Sequence, residues 1–323
     1  MKAAYYEANG AAADVLKIGE VDTPEPGPGE VRVKIAASGV NPSDVKTRAG
    51  RTRKIAFPRV IPHSDGAGTI DEVGEGVSAD RLGERVWIWN GQWKRPFGTA
   101  AEYVTLPEDM AVTLPGDTSF EVGACLGIPA LTAVQAVAYA QAEPGMTILV
   151  PGGAGAVANY AIQFAKARGA RVFTTVSSPE KAEMARKAGA DEAIDYKRED
   201  VAARIRDLTM QMGVDAIIDL DLNANASLIP NVLKPRGSVV IYGVGPEVTI
   251  PGSFSLQNTI RYQFFLVYEL NEAERAAGIA AITEMLAAGK LVHHLGPEFG
   301  LDDIVAAHEA MEAAAVGKII VRP

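Results

Sequence analysis

A glycine-rich turn is the clearest chemical feature of this sequence. The apolar run 147–150 is followed by small residues at the spacing Gly152-x-x-Gly155-x-x-Ala158 and then by a helical pattern. Small residues let the backbone turn tightly and approach an anion, while the helix N-terminus presents free N–H groups to it. Because the turn lies between a predicted strand and a predicted helix, it favours binding of a dinucleotide pyrophosphate over a purely structural turn.

The next strand indicates which dinucleotide binds. NAD sites usually carry Asp or Glu about 20 residues after the turn, but the stretch 171–178 contains no acidic residue. It supplies the hydroxyl of Ser177, Lys181 follows one helical turn later, and Tyr196 follows the next predicted strand. Hydroxyls and a cation suit a 2′-phosphate, so we predict NADPH as the cofactor. The alternative for Lys181 is a solvated helix face.

The sequence offers fewer polar residues that could act on a substrate than residues that could bind the cofactor. The amide of Asn41 could donate a hydrogen bond to an acceptor carbonyl and stabilise developing negative charge, or Asn41 could simply be a turn residue before Pro42. Asp44 could orient a neighbouring group or cap the start of a helix. The sequence shows no catalytic triad and no paired carboxylates. Hydride transfer to an electron-poor acceptor requires little acid–base catalysis from the protein, because the cofactor carries the chemistry.

One segment concentrates positive charge in a chain whose net charge is −9. Residues 45–64 contain six cations and no acidic residue: Lys46, Arg48, Arg51, Arg53, Lys54 and Arg59. The segment is either a solvated loop or a basic rim that favours an anionic substrate, such as a carboxylated acceptor or a CoA thioester.

The elements that must position these residues fall into two patterns. Residues 1–122 are rich in Gly, Pro and short β-branched runs, which predicts a small barrel-like β domain. In 123–270 helix and strand patterns alternate, which predicts a parallel sheet covered on both faces. The tail, 271–323, carries two helices and the strand Lys318–Val321. We expect that strand, which has no partner of its own in the tail, to return to the first domain.

Composition limits the function classes. A length of 323 residues suggests two domains. The acidic balance argues against general binding of nucleic acid, and the chain has no apolar run of about 18 residues that would span a membrane. The single cysteine, Cys125, excludes an internal disulfide and four-cysteine zinc sites, and it fits a cytoplasmic protein. The four histidines are expected at surface or hinge positions: His63, His293, His294 and His308.

Five blocks, taken in order, resemble the quinone oxidoreductases of the zeta-crystallin type, in the zinc-free branch of the medium-chain dehydrogenase/reductase superfamily. The blocks are 39–44, 64–68, 127–133, 152–158 and 317–321. The resemblance covers nearly the whole chain. It implies an α/β fold with a GroES-like, β-rich barrel domain (1–122 and 271–323) and a Rossmann doubly wound parallel sheet (123–270). Zinc-dependent members carry Cys and His where this chain has Asn41 and Ser64, so no metal is predicted.

The resemblance also implies a set of site residues. Asn41 and Thr132 would lie near the nicotinamide, and related enzymes often have Tyr at the mouth of the site where this chain has Lys46. Together with the turn, the implied cofactor contacts are Asn41, Thr132, Gly152, Ala154, Gly155, Ala156, Val157, Ser177, Lys181, Tyr196, Asn223, Tyr242, Gly243, Val244, Phe265, Leu266 and Val267. The candidate catalytic residues are Asn41, Asp44 and Lys46.

The activity implied is NADPH-dependent reduction of a quinone by hydride transfer. The alternative enzyme reduces the double bond of an enone, an enal or an enoyl thioester, which requires a proton donor that the sequence does not identify. A third hypothesis is a non-catalytic NADPH-binding protein. The apolar stretch Tyr262–Tyr268 is expected to be covered or to pair with its symmetry mate, and the resemblance favours a homodimer through this edge strand.

Overall fold

The computed structural model describes all 323 residues, which form two units. The first unit comprises 1–128 and 293–323, and the second comprises 129–292. The fifteen strands are Lys2–Tyr5 (β1), Lys17–Glu20 (β2), Glu30–Gly39 (β3), Asp65–Val73 (β4), Arg85–Ile88 (β5), Tyr103–Pro107 (β6), Ala111–Thr113 (β7), Thr147–Pro151 (β8), Arg171–Val176 (β9), Glu192–Asp195 (β10), Val214–Asp219 (β11), Leu233–Ile241 (β12), Arg261–Phe264 (β13), Leu295–Gly300 (β14) and Lys318–Arg322 (β15).

Twelve α-helices complete the fold, most of them in the second unit. They are Ala12–Val15 (α1), Pro42–Arg48 (α2), Phe120–Gly123 (α3), Leu131–Tyr139 (α4), Ala156–Ala167 (α5), Pro179–Lys187 (α6), Val201–Leu208 (α7), Leu222–Asn225 (α8), Ile229–Val232 (α9), Gly252–Asn258 (α10), Glu272–Ala287 (α11) and Ile304–Glu312 (α12). None of these helices combines the length and the apolar composition that crossing a membrane requires.

The first unit is built on a seven-stranded sheet with the order β14-β15-β3-β4-β5-β7, in which β6 also pairs with β3. Apolar and polar residues alternate over 31–35, which predicts a half-buried strand, and β3 confirms it, because Val31, Val33 and Ile35 are buried in the core of this sheet. The C-terminal strand returns as expected, with Ile320 opposite Gly39. The expectation that it has no partner in the tail is wrong. Strand β14 pairs with it in parallel through backbone hydrogen bonds, without an alternating apolar pattern in its sequence.

The second unit contains a six-stranded parallel sheet with the order β10-β9-β8-β11-β12-β13. Strands β8 and β11 are adjacent, and the chain runs outward from them in opposite directions, so the sheet has a topological switch point there. Ligands of doubly wound folds bind at the carboxyl ends of the strands beside such a point. The predicted Rossmann architecture is confirmed.

Two elements of the second unit differ from their sequence-based prediction. The sequence pattern over 225–233 predicts a single helix, but α8 and α9 are separate. Pro230 lies in the first turn of α9, where it lacks the N–H that a continuous helix would need. The apolar sequence over 262–270 predicts a strand, but β13 ends at Phe264. A 3₁₀ turn follows at Val267–Glu269, in which Val267 and Tyr268 are buried.

The boundaries between units lie at 128/129 and 292/293, whereas the sequence suggested 122/123 and 270/271. The larger difference arises because α11 belongs to the second unit, where it packs on α4. Gly278 permits this close approach. A Cβ at that position would lie 3.0 Å from Leu131 Cδ2 and 3.1 Å from Val134 Cγ1. An apolar contact across a helix pair therefore decides where the second unit ends.

Candidate functional site

A buried charged cluster lies where β3, β4 and β15 begin or end. Strand β3 leads into Asn41, the N-cap of α2, while Asp65 begins β4 and Lys318 begins β15. The Asn41 Nδ2 donates to Asp65 Oδ2 at 2.9 Å, and Lys318 Nζ donates to Asn41 Oδ1 at 2.6 Å and to Asp65 Oδ2 at 2.5 Å. All three side chains are buried. We call Asn41, Asp65 and Lys318 the buried triad.

The local backbone explains how these side chains meet. Strand pairing places Gly39 opposite both Asp65 and Ile320, so one point of the sheet gathers the three chain segments. Gly39 has no side chain, and a Cβ there would collide with the Lys318 stem and with the Ala124 carbonyl. The absence of this Cβ is what leaves room for a buried lysine beside the sheet.

The buried triad fixes the chemistry of the Asn41 amide. Lys318 can only donate, so its contact identifies the Asn41 oxygen, and the nitrogen must face Asp65. One N–H of Nδ2 donates to Asp65, and the Asp44 carboxyl also interacts with the Asn41 side chain. The nearby ammonium polarises the amide and makes its N–H groups stronger donors. The arrangement can therefore stabilise negative charge that develops on an acceptor oxygen.

Asp44 caps the helix that carries Asn41. Its Oδ2 accepts a hydrogen bond from the Asn41 backbone N–H at 2.8 Å, which confirms the capping role. Burial, with a further contribution from the negative charge of Asp65, raises the pKa of Asp44 to about 7, and Lys318 opposes this rise. Burial also raises the pKa of Asp65, which Lys318 and Asn41 oppose. Near neutral pH the carboxyl of Asp44 therefore exchanges a proton close to the buried triad.

Lys46 is not brought into this cluster. It lies on the exposed face of α2, between buried neighbours, and its ammonium group makes no hydrogen bond or ion pair. Conversely, the sequence-based set of site residues missed Asp65 and Lys318. The available signal was a lysine at the start of the apolar run Ile319–Val321. A sequence does not reveal that such a lysine is buried against an aspartate from a distant strand.

The expectation of surface or hinge positions is wrong for two of the four histidines. His63 and His308 are fully buried, and their rings stack with Nε2 atoms 3.0 Å apart. The chain of bonds fixes their tautomers. Thr99 donates to the Asp65 carbonyl at 2.5 Å, so it accepts from Ser38, which in turn accepts from His63 Nδ1. His63 Nε2 is then the acceptor for His308 Nε2–H.

The protonation of this pair follows from its surroundings. His308 Nδ1 is buried without a partner. Burial lowers the pKa of His308 to about 3, helped by the positive charge of Arg48, and burial lowers the pKa of His63 well below its usual value. Both rings are therefore neutral at physiological pH, and their role in the first unit is structural. Outside this pair, His293 and His294 are half-buried.

The glycine-rich turn of the second unit lies between β8 and α5. Gly152 has φ +73°, in the left-handed region, and its N–H donates to the Thr175 carbonyl at 3.1 Å. A Cβ on Gly153 would collide with the Thr174 hydroxyl. The turn is thus pressed against β9, and Gly155 is the N-cap of the twelve-residue helix α5. The N–H groups that follow have no acceptor within the helix, which suits a pyrophosphate.

Three predicted residues meet at the carboxyl ends of β9 and β10. Lys181 Nζ donates to Ser177 Oγ at 3.1 Å, and the Tyr196 backbone N–H donates to the Val176 carbonyl at 3.1 Å. Lys181 is half-buried and directed at Ser177, so it is more than a residue of a solvated helix face. The Tyr196 side chain is 53% exposed. A hydroxyl and an ammonium therefore meet at the end of β9, and the exposed Tyr196 follows the neighbouring strand, which fits a 2′-phosphate.

The remaining predicted cofactor residues follow β11, β12 and β13 or lie on α4. Asn223 uses both ends of its amide to brace the next loop, donating to the Glu247 carbonyl and accepting from Gly245 N–H, both at 2.6 Å. Gly243 packs so closely on the Leu220 carbonyl that a Cβ would not fit. The others have mixed exposure: Thr132 and Val267 are buried, Tyr242 and Phe265 are not fully buried, and Val244 and Leu266 are exposed.

Asp219 is a buried acid that the sequence did not single out. Its Oδ1 accepts from the Asp221 N–H at 2.7 Å and from Asn225 Nδ2 at 3.1 Å, while Oδ2 is buried without a partner. Burial raises the pKa of Asp219, and burial together with Asp219 raises the pKa of Tyr242. This acid organises the loop at the end of β11. In the whole chain no three His, Cys, Asp or Glu side chains group so as to hold a metal ion.

Comparison with known proteins agrees with this architecture. The model of the alcohol dehydrogenase GroES-like domain matches residues 27–116, and that of the zinc-binding dehydrogenase domain matches 156–282. The chain is 31% identical to the quinone oxidoreductase of Rattus norvegicus, over 95% of this chain and 93% of that protein. It is 29% identical to a 2-haloacrylate reductase of a Burkholderia species, over 94% of each.

Two solved structures with NADPH are also similar over all of both chains. One is a mycobacterial protein complexed with NADPH, with a TM-score of 0.89 and 29% identity. The other is the quinone oxidoreductase of Escherichia coli complexed with NADPH, with a TM-score of 0.89 and 25% identity.

Proposed function

Since the chain belongs to the quinone oxidoreductase family, within the medium-chain dehydrogenase/reductase superfamily, we propose that it reduces quinones with NADPH and without a metal ion. NADPH, when bound, supplies a hydride, and together with one proton this converts the quinone to a hydroquinone. The observation that carries the proposal is the grouping of Ser177, Lys181 and Tyr196 beside the glycine-rich turn. The names of the relatives and the NADPH complexes support it.

The second unit would hold the cofactor through two anion sites. The turn from Gly152 to Val157 would bind the pyrophosphate through backbone N–H groups. Lys181, with Ser177 and Tyr196, would bind the 2′-phosphate, which NADH lacks. The loops after β11, β12 and β13 would line the rest of the dinucleotide, with Asn223 acting mainly as the brace of its loop.

The first unit would stabilise the reduced acceptor. Hydride addition to a quinone places negative charge on the opposite oxygen, and the polarised amide of Asn41 is the candidate donor to it. Lys318 holds and polarises that amide, and Asp44 holds the backbone at Asn41. Lys318 and Asp44 thus act as positioning residues. Lys46, exposed on α2, remains a candidate contact at the mouth of the site.

A second candidate activity is reduction of a conjugated carbon–carbon double bond. It is favoured by the relative named 2-haloacrylate reductase. This reaction also begins with hydride transfer, but a proton must then be delivered to carbon. Asp44, whose pKa is about 7, is the buried acid of the first unit that is best suited to donate this proton.

We also propose a homodimer through the outer edge of β13. That strand pairs only with β12 within the chain. Phe264 at its end and Leu266 just after it are 47% and 48% exposed. An apolar unpaired edge of this kind readily pairs with a second copy. Light scattering tests the proposal and should show a dimer. Phe265 N–H donates to Ile241 of β12, so the N–H of Phe264 faces the outer edge, and conversion to monomer by Phe264→Pro would agree with the proposal.

The activity is tested by following NADPH oxidation in buffer treated with EDTA, with NADH in parallel. The acceptors are quinones, enals and enoyl thioesters. Turnover of quinones, with NADPH preferred and no loss on metal removal, is the expected result. Turnover of unsaturated carbonyls alone would replace quinone reduction by the second candidate. Silence on every acceptor, with NADPH still bound, would contradict both enzymes and favour a binding protein.

A further inference from the structure

A pocket of about 250 Å³ opens in the first unit beside α2. Its apolar wall is formed by Tyr6, Ile55, Phe57 and Val60, and its cations come from the segment after α2 and from the loop near Trp93. The lining residues are Tyr6, Thr47, Arg53, Lys54, Ile55, Ala56, Phe57, Val60, Gln92 and Lys94. None of them is acidic. We call this cavity the cationic pocket.

The basic segment 45–64 contains both structural cations and pocket cations. Arg48 is buried and paired with Glu312, and Arg59 pairs with Glu7 at 2.9 Å. Lys54 makes no ion pair and is exposed on the pocket wall. The sequence alone did not separate these roles, because all six cations look alike in a run without acids.

Arg53 is held in the pocket by groups that carry no charge. Its guanidinium lies 4.5 Å from the centroid of the Trp93 ring, and it donates to Gln92 Oε1 at 3.3 Å. Gln92 is itself buried and donates to the Arg95 carbonyl at 2.9 Å. The arginine is therefore fixed in place while its positive charge remains uncompensated, which is the arrangement expected of a preorganised anion site.

The cationic pocket and the buried triad share helix α2. Thr47, in its lining, lies one helical turn after Asp44 on α2. Tyr6 also lines the pocket, where burial, with a further contribution from Asp44, raises its pKa to about 12 and the charge of Arg53 opposes this rise. A group bound in the pocket would therefore lie on the same face of α2 as the cap of Asn41.

We propose that the cationic pocket binds the negatively charged group of the electron acceptor, a carboxylate or sulfonate carried on a ring or a short unsaturated chain. This inference rests on the proposed acceptor reduction and adds the charge of the substrate to it. The size is suitable, because an engineered cavity of about 150 Å³ is enough to hold benzene. Arg53 and Lys54 supply the charge, and the apolar wall receives the carbon skeleton.

The test compares acceptors and ligands that differ in charge. Steady-state KM values are measured for 1,4-naphthoquinone-2-sulfonate and for uncharged 1,4-naphthoquinone, and calorimetry measures binding of benzenesulfonate and of neutral benzenesulfonamide. The variants are Lys54→Gln and Arg53→Gln. Arg59→Gln is the matched control, since it removes the same charge from the same segment outside the pocket.

Each pocket variant is expected to raise the KM of the sulfonated quinone about tenfold, the loss of one charged hydrogen bond. The uncharged quinone and the Arg59→Gln control should not change. Benzenesulfonate binding should weaken in parallel and should fall with added salt. Unchanged sulfonate binding in both pocket variants overturns the inference, whether or not quinones turn over. Absence of all quinone turnover, with charge-dependent sulfonate binding retained, contradicts the proposed reaction and leaves the anion site standing.

Discussion

Removal of the positive charge at Lys181 should change cofactor preference without changing cofactor binding in general. The Lys181 ammonium already contacts the Ser177 hydroxyl at 3.1 Å, so both are in place for a 2′-phosphate. A hydrogen bond between charged groups contributes about 1.5–3 kcal/mol. Because Lys181 is only half-buried, we take the lower half of that range, which corresponds to a weakening of NADPH binding by about 13-fold to 45-fold in Lys181→Gln. NADH binding should be unchanged.

The assay is equilibrium titration of both cofactors, followed by their KM values. Lys187→Gln is the matched control, because Lys187 lies on the same helix, is 65% exposed and has only Glu183 as an ion-pair partner, at 3.9 Å. It should leave both affinities unchanged. If Lys181→Gln weakened NADH and NADPH equally, or if the control weakened NADPH as much, the assignment of this edge to the 2′-phosphate would be refuted.

Three further predictions concern the first unit. Lys318→Met leaves Asp65 buried without its cationic partner and should lower the free energy of unfolding in urea by about 3–5 kcal/mol. Adding Asp65→Asn to the same chain should restore part of this loss, and no loss at all would refute a stabilising Lys318–Asp65 pair. Burial lowers the pKa of His308 to about 3 and also lowers that of His63, so the stability that the neutral rings contribute is present above a pH of about 6.5 and is lost as the pH falls. The expected slope of the unfolding free energy is about 1.4 kcal/mol per pH unit for each histidine. His308→Gln should reduce this slope, and an unchanged slope would contradict neutral rings in the folded protein. Asp44→Asn keeps an acceptor for the helix cap but removes the carboxyl whose pKa is about 7, so the pH profile of kcat/KM should become flatter near neutral pH. An unaltered profile would show that the titration of Asp44 does not affect kcat/KM.

Local pattern made much of the second unit predictable. Alternating apolar strands and capped helices indicate a parallel sheet, and the spacing from Gly152 to Ala158 indicates a phosphate turn, because each depends on neighbouring residues only. The cofactor edge was equally accessible, since Ser177 and Lys181 lie four residues apart on adjoining elements. The predictions failed where a single residue or a distant contact decides the boundary of an element or a unit. Pro230 separates α8 from α9, and α11 belongs to the second unit because it packs on α4.

The sequence by itself determined the two fold types, the dinucleotide turn, the preference for a 2′-phosphate and the identity of Asn41 as a candidate donor. Only the tertiary structure decided which polar residues are buried together. Asp65 and Lys318 are 253 residues apart, and His63 and His308 are 245 apart. Such pairs depend on which strands pair across the sheet, and desolvation then changes their charge state. Burial and long-range register have no signature in local spacing, so the role of a charge becomes visible only when the fold has placed it.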